Sequence, residues 1–146
     1  MSPTVKPGHR NSQRGNTLIE ILVAVLVLSI GLLGVAGLQL TSLRNNRSAH
    51  LRSQAQVMAY DITDRMRANR QLAIDTGAYN IAIGGSVTGG TLAKDDLVRW
   101  KDALRNSLPS GDGSVEVVNT NVVLITVQWV DQLSATPQQF TTRTRI

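Results

Sequence analysis

From Ile21 to Leu43 the chain carries no charged side chain, and a single carboxylate, Glu20, stands at the head of that run. Ile21 to Leu38 holds one polar side chain, Ser29, so the segment is apolar around its whole circumference as a helix and long enough to span a bilayer. Near an N-terminus such a run reads as a membrane span or an export signal. An acid at the edge of the span does not help anchoring, because ionised groups cost roughly 2.5 to 3.5 kcal/mol at mid-bilayer and less towards the edge. Glu20 is accordingly a candidate for a role other than anchoring.

Upstream, residues 1–15 are polar, contain Pro, Ser and Gly, and carry Lys6, Arg10 and Arg14 without an acid. They read as a disordered, cytosolic leader. The formal charge is +5, from 15 basic and 10 acidic residues; without the three leader cations 12 stand against 10, or +2. The basic balance thus belongs mostly to the leader, and no basic stripe with interleaved aromatics points to nucleic acid. Arg44, Arg47, Arg52, Arg65, Arg67 and Arg70, with Asp61 and Asp64 among them, read as a solvated helix face with some attraction to anionic lipid or acidic neighbours. Arginines flank the far end of the span in similar number to the leader's cations, so charge alone does not orient it.

Gly31, Gly34 and Gly37 recur at intervals of three inside the span. They suit close helix packing in a bilayer or a soft section able to extend. Beyond the span, Leu51, Ala55, Met58, Ile62 and Met66 form one apolar stripe, which extends the helix to about Gln71. From about Leu18 that is some 80 Å at 1.5 Å per residue.

Asp75-Thr76-Gly77 stops the helical pattern, and Gly84 to Gly90 reads as a surface loop. It lacks the Gly-Lys-Ser/Thr ending of a phosphate loop. A second helix is expected from about Leu92 to Leu108, with Leu97, Trp100, Leu104 and Leu108 on one face and Asp95 and Asp96 compensating the dipole at its start. Val115 and Val117 alternate with Glu116, a turn falls at Asn119-Thr120-Asn121, and Val123, Ile125, Val127 and Trp129 alternate with Leu124, Thr126 and Gln128. After a loop from Asp131 to Pro137, Phe140, Thr142, Thr144 and Ile146 share a face opposite Thr141, Arg143 and Arg145. The expected fold class is α+β: a long N-terminal helix packed on a small antiparallel sheet. Trp100 and Trp129 are the leading core candidates.

Catalytic signals are weak. His9 falls in the leader and His50 on the long helix, neither with neighbours at metal-ligand or base spacing, and there is no cysteine. Asp95, Asp96 and Asp102 read as helix-opening acids rather than a catalytic pair. The chain is read as non-enzymatic, with no cofactor and no metal.

Arg14-Gly15-Asn16-Thr17-Leu18-Ile19-Glu20 followed by the apolar run resembles the class III signal of type IV pilins and pseudopilins. Ser29 to Gln39, Ser53-Gln54-Ala55, Ala59 to Arg70, Trp100, Leu108-Pro109-Ser110-Gly111 and Val127-Gln128-Trp129 are further similar to type IV pilus modification proteins of the PilV type, which are minor pilins. The resemblance implies a type IV pilin-like fold, cleavage by prepilin peptidase between Gly15 and Asn16, and N-methylation of Asn16. It also implies a single-pass inner-membrane protein with its C-terminal domain in the periplasm, entering the pilus and priming assembly with other minor pilins and the major pilin. On this reading residues 1–15 are leader, 16–43 the transmembrane and assembly helix, and 44–146 the head. Glu20 would offset the N-terminal amine of a neighbouring subunit in low dielectric and so set register. Asn16 stands where many pilins have phenylalanine, and the missing cysteines remove the C-terminal disulfide loop of many major pilins.

Two rivals share parts of the pattern. A minor pseudopilin of type II secretion has the same leader and spine, whereas a secreted binding domain would be cut after Ala36, where Gly34-Val35-Ala36 places small residues suitably.

Overall fold

A computed structural model describes residues 16–119, 121–131 and 136–146. The elements are helices α1 (Asn16–Ala68), α2 (Arg70–Asp75) and α3 (Leu92–Ser107) and strands β1 (Asp112–Asn119), β2 (Val122–Trp129) and β3 (Gln138–Arg145). The expected leader, the turn residue Thr120 and loop residues 132–135 lie outside the described residues. The chain divides into two units, Met1–Ser42 and Leu43–Ile146.

In the first unit α1 turns its apolar side chains outward, with Leu18 71% and Leu38 73% exposed. Ser29 and Thr41 donate their hydroxyls back to the carbonyls of Val25 and Gly37, at 2.6 and 3.0 Å, which satisfies them without water. The helix passes unbroken through Gly31, Gly34 and Gly37, and a Cβ at any of the three would meet no atom within 4 Å. Close packing at these glycines therefore requires a neighbouring helix.

The second unit holds a long helical half packed with α3 and a three-stranded sheet around one core. Along α1 the buried stripe is Leu51, Ala55, Ala59, Ile62 and Met66. Met58, expected in that stripe, stands half-buried at its margin and Ala59 takes the place. The small Ala55 and Ala59 leave room for a large partner: Trp100 of α3 reaches the α1 backbone and donates its indole N–H to the Met58 carbonyl at 2.9 Å. The helix ends at Ala68, not near Gln71. Asn69 leaves helical geometry (φ −118°, ψ 40°), and its side-chain amide donates to the Tyr79 hydroxyl and the Arg65 carbonyl. A short polar side chain that finds local partners competes with helix continuation.

α3 is capped at its start by Thr91, whose hydroxyl accepts from the Lys94 N–H, and buries Leu97, Trp100 and Leu104, with Leu108 at its C-cap. The sheet is an antiparallel meander in the order β1-β2-β3. β2 is its centre, and Val123, Ile125, Val127 and Trp129 are all buried while their neighbours are not. Across the inner face Val115 pairs with Ile125 and Ile125 with Thr142, and Val123 stands between Val117 and Thr144. Such a half-buried sheet needs one face covered, and the helices supply the cover. α3 rests on β1 where Gly113 has no side chain: a Cβ there would come 2.5 Å from the Trp100 ring.

Candidate functional site

The segment that carries the processing and assembly signal opens α1. Gly15 lies outside the described residues, and Asn16 is the first residue of the helix. Glu20 follows one turn later, exposed, between the exposed apolar side chains of Ile19 and Ile21. No part of the apolar window of this helix is buried within the chain, and it is long and apolar enough to cross a membrane. A carboxylate on such a surface has no ion-pair partner among the described residues. In hydrocarbon it would have strong reason to find one from outside.

The head contains two inward charge clusters that sequence periodicity did not reveal. Asp96 is 8% exposed and accepts the Tyr79 hydroxyl at 2.7 Å and an Arg65 guanidinium N–H at 3.1 Å, while Arg65 also donates to Asp61 at 3.0 Å. This corrects the reading of Asp96 as a helix-opening acid: it faces inward and ties α3 to α1. Asp95 does serve the helix start, accepting the Gly90 N–H at 3.1 Å, and Asp102 pairs with Arg105 on the surface. Tyr79, fully buried, is pushed up to about 12, first by burial and then by its hydrogen bond to the Asp96 carboxylate. The Arg65 guanidinium is raised further, chiefly by its bond to Asp61.

In the second cluster Lys101 is 2% exposed, yet stands in the middle of α3. Its ammonium donates to Asp112 and to the Ala82 carbonyl, and Asp112 also accepts the N–H groups of Gly84 and Gly113. Burial pushes the Asp112 carboxyl up, but the bonds from Lys101, Gly84 and Gly113 outweigh it and hold the group below the usual carboxylate range. The glycine-rich loop is thus pinned by its first glycine to the start of β1. Each cluster joins two elements through a charged pair, Arg65 of α1 to Asp96 of α3 and Lys101 of α3 to Asp112 of β1, the arrangement of a structural tie.

Within the arginine cluster Arg65 departs from the solvated face expected of it, being half-buried and turned to Asp96. Arg44, Arg47, Arg52, Arg67 and Arg70 are exposed, and the last two also bond to backbone carbonyls at and just after the end of β3. Arg67 donates to the Arg145 carbonyl at 3.3 Å, and Arg70 to the Ile146 carbonyl at 2.9 Å. His50 is exposed on α1, and no group of three His, Asp or Glu residues suited to a metal occurs among the described residues.

The family model of the prokaryotic N-terminal methylation motif matches residues 10–36. No curated protein and no solved structure matches the chain. The motif supports a type IV pilin-like or pseudopilin chain, and the long helix packed on a three-stranded antiparallel sheet is a pilin-like α+β arrangement. A prepilin leader of this kind implies processing by prepilin peptidase, and the apolar helix after it implies an inner-membrane anchor and assembly with other pilins.

Proposed function

We propose that this pilin-like chain is a minor pilin, of the PilV type, that primes or modulates type IV pilus assembly. In this reading prepilin peptidase cuts between Gly15 and Asn16, Asn16 is N-methylated, and the head stands in the periplasm before the subunit enters the pilus. The observation that carries the reading is the methylation motif over residues 10–36, running into an apolar helix that is wholly exposed in the isolated chain. Such a helix needs lipid before assembly and other helices after it. Glu20 gives register by pairing with the amine of a neighbouring subunit, where low dielectric strengthens the attraction. The role is structural: the buried charges of the head hold α3 and the loops in place, and the head acts by binding other minor pilins.

Intact mass of the mature protein tests the processing step. It should begin at Asn16, one methyl heavier; a terminus at Gly37, or a retained leader in cells with active prepilin peptidase, overturns it. Deleting the gene should lower the number of pili without altering the main filament subunit. Wild-type piliation in the deletion strain, or co-purification with secretion components instead of pilins, would favour the pseudopilin rival.

A further inference from the structure

The two edges of the head's sheet are treated differently. On β1 the outer edge is closed by the chain itself. Val115 exchanges both backbone hydrogen bonds with Ile81, at 2.9 Å each, the Val117 N–H goes to Asn80 Oδ1 at 2.9 Å, and the Gly113 N–H goes to the Asp112 carboxylate. On β3 the alternation of an antiparallel ladder fixes which groups face outward. Because Val115 bonds away from β2, Leu124 and Thr126 are the β2 residues that bond to β1, and Val123, Ile125 and Val127 bond to β3. Their partners are Thr144, Thr142 and Phe140. The N–H and C=O groups of Gln139, Thr141 and Arg143 therefore point away from the sheet, and no other described residue bonds to them. Only at Arg145 does Arg67 take an outward carbonyl.

We propose that the free edge of β3 receives an extended, acidic strand from another protein, by strand addition. A row of unpaired backbone groups is a template for one more strand, and natural sheets usually cover or blunt it. Here one edge is blunted and the other is left open. Charge selects the occupant. Arg143 and Arg145 are exposed on the outer face of β3, two positions apart, and neither belongs to an ion pair among the described residues. An open depression of about 300 Å³ lined by Val122, Arg143, Thr144 and Arg145 lies beside them. Side chains of an added strand alternate faces, so carboxylates at alternate positions would meet both guanidinium groups. A second copy is a poor occupant: pairing β3 with β3 would gather four arginines on one face with no acid among them, and the blunted β1 offers no edge. The closed β1 edge also means that such pairing stops after one partner. The proposal goes beyond the minor-pilin reading and does not depend on it.

Backbone amide exchange of the full chain in detergent micelles, followed by NMR, tests this. The probe is a synthetic peptide alternating glutamate with threonine or valine, at millimolar concentration, beside its lysine counterpart. The acidic peptide should slow exchange at Gln139, Thr141 and Arg143 by about tenfold or more, and the lysine peptide should not. Thr141→Pro removes an outward N–H that the ladder does not use, and should abolish protection while the thermal transition is kept. R143E should shift preference from the acidic to the lysine peptide, which holds the test open if the proline variant unfolds. No protection at the three amides, or equal protection by both peptides, overturns the proposal. Protection without peptide that rises with protein concentration also overturns it, by assigning the edge to a second copy. None of these readouts depends on pilus formation.

Discussion

The indole N–H of Trp100 donates to the Met58 carbonyl across 2.9 Å, so a core side chain of α3 is bonded to the backbone of α1. The contact sets the approach of the two helices more tightly than apolar packing alone, because a hydrogen bond tolerates little displacement. Trp100 is fully buried, and its ring also fills the space that Gly113 leaves on β1.

Trp100→Ala should cost about 3 to 5 kcal/mol, enough to unfold a head of this size, and Trp100→Phe less, because the ring volume is largely kept. Gly113→Ala, which drives a methyl into the ring, should cost about 1 to 3 kcal/mol. Urea unfolding of the full chain in detergent reads all three.

Lys101 and Asp112 form a buried pair whose halves should not be separable. Asp112→Asn leaves the ammonium of Lys101 with neutral acceptors only, and should cost about 3 kcal/mol; Lys101→Met combined with Asp112→Asn should recover a large part of that loss. The pH dependence has a definite sign. Asp112 is lowered in the folded state, so its contribution is complete above the ordinary carboxylate value of about 4 and is lost as pH falls through the lower folded value. The difference in melting temperature between wild type and Asp112→Asn should therefore narrow as the pH is taken below about 4.

Tyr79 behaves in the opposite sense. Its phenol is neutral in the fold and raised to about 12, so its contribution is complete below the unfolded value of about 10 and is lost as pH rises through 12. Thermal melts should fall between these values for wild type and stay flatter for Tyr79→Phe. At neutral pH that variant should lose about 1 to 2 kcal/mol, because Asp96 and Asn69 each lose a partner.

Glu20→Ala should leave processed protein in the inner membrane, since removing a charge makes the span more apolar, but reduce its entry into filaments. Fractionation and sheared-pilus immunoblots separate the two effects. Entry at the wild-type level would show that Glu20 does not set register.

Local pattern determined the elements. The fourfold and threefold spacing of Leu97, Trp100, Leu104 and Leu108 placed α3 to within a residue, and the strict alternation in β2 named its four buried residues. The apolar run after Glu20 and the glycine before Asn16 made the pilin-like class legible, because a span and a leader are written in contiguous residues. Tertiary structure decided what contiguity does not carry. Which of Met58 and Ala59 faces inward depends on the bulk of Trp100 opposite, far along the chain. Tyr79, Asp96 and Lys101 are polar, and a polar residue enters a core only where a partner from another element meets it: Asp96 meets Tyr79 and Arg65, and Lys101 meets Asp112, in each case across a break between elements that no single segment's pattern spans. The end of α1 was settled the same way, by a tyrosine ten residues beyond Asn69 that draws its side chain out of the helix. Periodicity reports the solvent-averaged face of one segment; the pairing of buried charges, and the choice of which sheet edge to close, exist only once segments meet.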